Sequence, residues 1–89
     1  MDGKKAEIEF PRLWEYRVFS STASVDEVEK NIGRVVGEMK LSGMQLERGP
    51  VSGSGSYRAL RLAVTVGSKD EANTLGEMIR KLDGVRFIL

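Results

Sequence analysis

Tyr57-Arg58-Ala59-Leu60-Arg61-Leu62-Ala63-Val64-Thr65-Val66 alternates along its whole length and runs directly into Gly67-Ser68-Lys69-Asp70-Glu71. Leu60, Leu62, Val64 and Val66 point one way and Tyr57, Ala59, Arg61, Ala63 and Thr65 the other, the period of a strand with one face in a core. Ser68 with Glu71 three positions on is a capping box, in which the hydroxyl accepts from a free backbone N–H and the carboxylate reaches back to the helix start. Ala72, Leu75, Met78, Ile79 and Leu82 then recur at helical spacing until Asp83-Gly84 closes the helix. Val85, Phe87 and Leu89 alternate with Arg86 and Ile88 as a final strand.

The same unit stands upstream. Leu13 to Ser20 alternates, with Trp14, Tyr16 and Val18 on one side and Glu15, Arg17 and Phe19 on the other. Ser24-Val25-Asp26-Glu27 is a second capping box, followed by an apolar stripe of Val25, Val28, Ile32, Val35 and Met39, with Asp26, Lys30, Arg34 and Glu38 outside it. The helix is expected to end near Leu41, with Ser42-Gly43 as its left-handed cap. Met44 to Arg48 reads as a short strand, and Gly49 to Ser56 as a mobile Gly/Ser hairpin into Tyr57.

A duplicated strand–helix–strand unit predicts a two-layer ferredoxin-like βαββαβ sandwich of the α+β class, a four-stranded antiparallel sheet with two helices on one face. Right-handed crossovers are read as placing strands one and three side by side and parallel at the sheet centre, with the second sheet face uncovered. Residues 1–7, polar and charged, are expected to be a flexible N-terminal tail, and residues 8–89 the single domain.

Composition removes more chemistry than any motif supplies. The chain has no Cys and no His, which excludes disulfides, thiol nucleophiles, iron–sulfur clusters and the commonest acid–base and zinc-binding side chain. No metal and no cofactor is expected, and no enzyme. A formal net charge of +1 creates no global field for nucleic acid or anionic membrane, so an electrostatic partner must meet a local patch. The longest apolar run, Leu60 to Val66, is broken by Arg61 and falls short of the roughly 20 residues that span a bilayer. Met1 to Glu7 carries no apolar signal-peptide core, so a cytoplasmic location without a membrane partner is expected.

Phe10-Pro11 followed by Trp14, Tyr16, Arg17 and Val18, then Ser52, Gly55 and Tyr57 leading into the alternating strand, then Ser68-Lys69 and a terminal Val85-Arg86 with Leu89, resemble the YbeD-like family of small bacterial proteins over Phe10 to Leu89. The resemblance implies a ferredoxin-like fold related in shape to ACT-type regulatory domains, and no established activity. Ser54 and Ser56 replace the Lys residues usual in that family's hairpin, and Arg61 stands where a small polar residue is common.

Two surfaces are candidate sites. The uncovered sheet face is expected to gather Arg17, Phe19, Tyr57, Arg61, Arg86 and Ile88, a basic patch with aromatics of the kind that stacks bases and holds phosphates on RNA-binding sheets. Gly55-Ser56-Tyr57-Arg58-Ala59-Leu60 echoes the RNA-recognition strand motif without its second central aromatic or leading basic residue. The competing reading is that the Arg stems cover apolar sheet and pair with Glu15 and Glu47, or that two such faces meet in a dimer. The second surface is the sheet end where both helices are expected to start, with Ser20, Ser21, Thr22, Ser24, Ser68 and Lys69 offering N–H groups and hydroxyls to an anionic ligand. Asp26, Glu27, Asp70 and Glu71 already supply negative charge there, which favours plain capping.

Two glycine features complete the reading. Gly33 and Gly37, one turn apart, would permit close helix approach. The Gly49 to Ser56 loop lacks the Lys and the strand-to-helix setting of a phosphate loop.

These observations favour a non-catalytic regulatory or adaptor domain, ACT-like, that binds a small ligand or a protein partner as a homodimer. Single-stranded RNA binding on the open face is the alternative. Acylphosphatase-type hydrolysis is disfavoured, because Ser20-Ser21-Thr22-Ala23 carries no Arg for a phosphate loop.

Overall fold

A computed structural model of the chain describes residues 9–89, so the expected tail at 1–7 lies outside the described residues. The elements are β1 (Arg12–Ser21), a 3₁₀ turn (Thr22–Ser24), α1 (Val25–Glu38), β2 (Ser42–Val51), β3 (Tyr57–Val66), α2 (Lys69–Arg80) and β4 (Val85–Ile88). They form the two-layer βαββαβ sandwich, with strand order β2-β3-β1-β4.

Every pairing is antiparallel, including β1 with β3, where Arg17 lies opposite Arg61 and Arg12 opposite Val66. The parallel arrangement expected for these two strands is therefore corrected. The crossover through α1 makes β2 parallel to β1 and leaves a strand's width between them. The β2–β3 hairpin then inserts β3 there, running against both.

The inward side chains obey the alternation. Val18, Leu60, Leu62, Val64 and Val66 have no exposed surface and pack beneath Val28, Ile32, Leu75 and Ile79, which are equally buried. Val36, off the expected stripe of α1, joins them. Tyr16 crosses this core and its hydroxyl donates to the Ala72 carbonyl at 2.6 Å. Burial of the phenol pushes its pKa up to about 12.

The two expected capping boxes differ in outcome. Ser68 is extended, and its Oγ accepts from the Glu71 N–H at 3.0 Å, while Glu71 Oε1 accepts from the Gly67 N–H at 2.6 Å. Ser24 caps nothing with its side chain. The 3₁₀ turn that precedes α1 has already bent the chain toward helical geometry, so the Ser24 Oγ accepts from the Ser21 hydroxyl instead, at 3.2 Å.

The C-terminus of α1 is also corrected: it comes at Glu38, before Ser42-Gly43. Lys40 takes the left-handed conformation at φ 59°, so that the Lys40 N–H reaches the Gly37 carbonyl and the Leu41 N–H the Val36 carbonyl. These paired bonds form a Schellman turn, and they swing Leu41 onto the core. Gly43 lies inside β2, at φ 71°, where the pairing with β3 slips. Gly33 and Gly37 face open space and bring no other element close.

The hairpin between β2 and β3 is not a loose connector. The Ser52 Oγ accepts from the Tyr57 N–H at 3.2 Å. Thr22 then ties the tip to the end of β1, its N–H donating to the Ser56 carbonyl at 3.0 Å and its hydroxyl to the Gly55 carbonyl. The Gly/Ser composition supplies turn geometry, with Gly55 at φ 80°, and hydroxyls to satisfy the turn.

Candidate binding surface on the open sheet face

Alternation on β1 and β3 sends Leu13, Glu15, Arg17 and Phe19, and Tyr57, Ala59, Arg61, Ala63 and Thr65, to the face without helices. Cross-strand partners there are Phe19 with Ala59, Arg17 with Arg61, Glu15 with Ala63 and Leu13 with Thr65. Like charges directly opposite one another on a sheet are unfavourable. Arg61 is eased by Glu47 on β2 at 3.7 Å, with both side chains well exposed. Among the described residues Arg17 makes no ion pair.

The last strand does not present the expected residues. Phe19 pairs with Phe87 and Ser20 with Val85, so β4 spends two residues on one step of β1 and Arg86 is the extra residue of a bulge. A one-residue slip exchanges the faces of everything beyond it. Phe87 therefore lies on the open face, Ile88 packs against the core with Val85, and Arg86 is exposed but outside the ladder. Arg86 and Ile88 thus drop from the expected patch, and Phe87 replaces them.

That exchange assembles an aromatic cluster. Phe19 and Phe87 stack with centroids 4.5 Å apart and planes inclined by 17°, and Tyr57 meets Phe87 edge-on at 6.0 Å. Rings in these geometries gain about 0.5–1.5 kcal/mol beyond burial. Phe87 nevertheless remains 43% exposed, and Val51 beside it 41%. Phe19, Pro50, Val51, Tyr57 and Phe87 line a recess of 190 Å³. It adjoins a second recess of 330 Å³ between Arg17, Phe19, Glu47, Pro50 and Arg61. The floor is built of small residues: a Cβ at Gly49 would sit 3.3 Å from the Ala59 Cβ. Pro50, Val51 and Gly49 were hidden in what read as a loop, because β2 extends to Val51.

The expected anion site does not form as one site. With β1 and β3 antiparallel, the end of β1 lies beside the start of β3, where Ser21 pairs with Tyr57. Ser20, Ser21, Thr22 and Ser24 therefore sit at one end of the sheet, and Ser68 and Lys69, beyond Val66, at the other. Ser20 is fully buried. The hydroxyls of Ser21, Thr22, Ser24 and Ser68 are engaged in the turn and cap contacts described above. Asp26 and Glu27 lie in the first turn of α1 as expected, and Asp26 also accepts from Arg48 at 2.6 Å.

Among the described residues, no cluster of three His, Cys, Asp or Glu side chains is placed to hold a metal ion, and no helix is long and apolar enough to cross a membrane.

Comparison with known proteins places the chain. Residues 5–89 match the protein family of unknown function DUF493, and the chain belongs to that family. The YbeD-like resemblance is to this same family. The chain is similar to a solution structure of HP0495 from Helicobacter pylori, with 25% identity, a TM-score of 0.79 and coverage of 99% of this chain and 91% of that one. It also shares its fold with the ACT domain from the GTP pyrophosphokinase of Chlorobium tepidum (18% identity, TM-score 0.61, 86% of this chain and 94% of that one). The C-terminal domain of the MgtC protein from Mycobacterium tuberculosis has the fold too (18% identity, TM-score 0.65, 94% of this chain and 89% of that one). No curated protein matches the sequence. The ferredoxin-like, ACT-like architecture read from the sequence is thus the one observed.

Proposed function

We propose that this DUF493-family chain is a non-catalytic regulatory or adaptor domain that holds a small ligand or a protein partner on the aromatic end of its open sheet face, in the cytoplasm. One observation carries the reading: Phe19, Tyr57 and Phe87 stand together with Pro50 and Val51 on a face that no helix covers. Clustered aromatic and apolar surface left in water is costly unless a partner removes it from water. The ACT-like shape supports a regulatory role by analogy of fold alone.

Single-stranded RNA binding is favoured by a different observation, the two arginines at positions 17 and 61 beside the rings. One experiment separates the readings: affinity capture from lysate of the source organism by the wild-type domain and by Phe87→Ala and Arg61→Ala variants, with and without nuclease. The proposal expects one near-stoichiometric, nuclease-resistant partner that Phe87→Ala loses. Recovery of RNA that falls steeply with salt and disappears in Arg61→Ala would replace it with the second reading.

A further inference from the structure

We propose that two copies of this chain pair face to face across β1, with Glu15 of each copy meeting Arg17 of the other. The inference rests on the open face being the working surface and names one of its occupants.

The outward residues of β1 read Leu13, Glu15, Arg17, Phe19: apolar, acid, base, apolar. Turned end for end, the row matches itself with charges opposed. A two-fold axis lying between the sheets, perpendicular to β1 and level with Tyr16, sets Glu15 on the partner's Arg17 and Leu13 on the partner's Phe19. Such self-matching is what an isologous interface requires. The neighbouring strand accommodates the same axis. Arg61 then faces the partner's Ala63, whose small side chain leaves room for it beside Glu47.

Two further features point to a second copy. Arg17 and Arg61 are directly opposed at the centre of the sheet, an unfavourable pair in the isolated chain that the partner's Glu15 relieves. Leu13 is 49% exposed, at the end of the row away from the aromatic cluster. In the pair it becomes a wall of the partner's recess beside Phe19, so each aromatic recess is completed by the other copy. With strands about 4.8 Å apart, the ten-residue β1, β2 and β3 and the four-residue β4 give a face on the order of 500 Å². Stable interfaces bury about 800 Å² per partner. The dimer is accordingly weak and concentration-dependent.

Sedimentation equilibrium over a wide concentration range tests this on the wild type, Glu15→Arg, Arg17→Glu and the double swap Glu15→Arg/Arg17→Glu. Both substitutions are at exposed positions, so each variant is expected to keep the fold. Each single reversal sets two like charges against each other across the axis and is expected to weaken the dimer by roughly tenfold or more, whereas the swap restores wild-type association. A wild type that stays monomeric throughout, a dimer indifferent to either reversal, or a swap that fails to restore pairing overturns the inference. Running the capture experiment on Glu15→Arg separates the two proposals. A partner still captured by the monomeric variant leaves the functional reading standing, whatever the fate of the dimer.

Discussion

Arg48 on β2 grips Glu29 on α1 side by side, Nε donating to Oε2 and Nη2 to Oε1, both at 2.8 Å. β2 is an edge strand whose side chains are mostly exposed. The paired guanidinium–carboxylate geometry thus fastens the wall that carries Pro50 and Val51 to the helix layer.

This contact makes stability sensitive to acid. The Arg48 hydrogen bonds hold the Glu29 carboxyl below its usual pKa. A carboxyl whose pKa is lowered by folding contributes stability above its unfolded pKa and loses it as pH falls through the folded one. Wild-type thermal stability is expected to drop as the pH falls below the ordinary Glu pKa of about 4.3. Arg48→Ala should have a lower melting temperature at neutral pH and a shallower loss on acidification, as followed by circular dichroism.

Tyr16 gives the opposite signature at high pH. Its phenol is held neutral until about pH 12, whereas in the unfolded chain it ionises near pH 10. Its contribution is intact below pH 10 and is lost as the pH rises from about 10 to about 12. Tyr16→Phe should cost about 1 kcal/mol at neutral pH through the lost bond to Ala72. The variant should also remove this alkaline component, and urea denaturation at pH 8 and pH 11 reads both effects.

Two left-handed positions should respond oppositely to substitution. Lys40 occupies the Schellman turn with a Cβ that this conformation disfavours by about 1–2 kcal/mol. Lys40→Gly is therefore expected to raise stability by up to about 1 kcal/mol, after the entropy cost of Gly. Gly84 at φ 91° has no such latitude: a Cβ there would lie 2.6 Å from the Ser24 Cβ and 3.0 Å from Val28 Cγ2. Gly84→Ala should cost about 2 kcal/mol or more, and chemical denaturation of the two variants checks the contrast.

The long alternating strands, the core and the Ser68 cap were legible because each follows a short period or a local spacing. What escaped depends on how elements meet. The relative direction of β1 and β3 is decided by where the hairpin inserts β3, and reading those strands as parallel falsely joined Ser68 and Lys69 to the serines around Ser21. The bulge at Arg86 arises because Val85 is drawn into the core while Phe87 stacks on Phe19, a tertiary compromise that strict alternation over five residues cannot reveal. Without that slip Ile88 would occupy the open face, and the aromatic cluster would lack its outermost ring.

The open face, and not the helical one, is the working surface in this account. Photo-crosslinking in the source organism tests that most directly, with a photoreactive amino acid placed at Val51 beside the aromatic rings or at Gly33 on α1, where an added side chain meets open space. The account predicts a discrete, high-yield adduct from position 51 and none from position 33. Adducts from position 33 alone, or equal diffuse labelling from both, would contradict it.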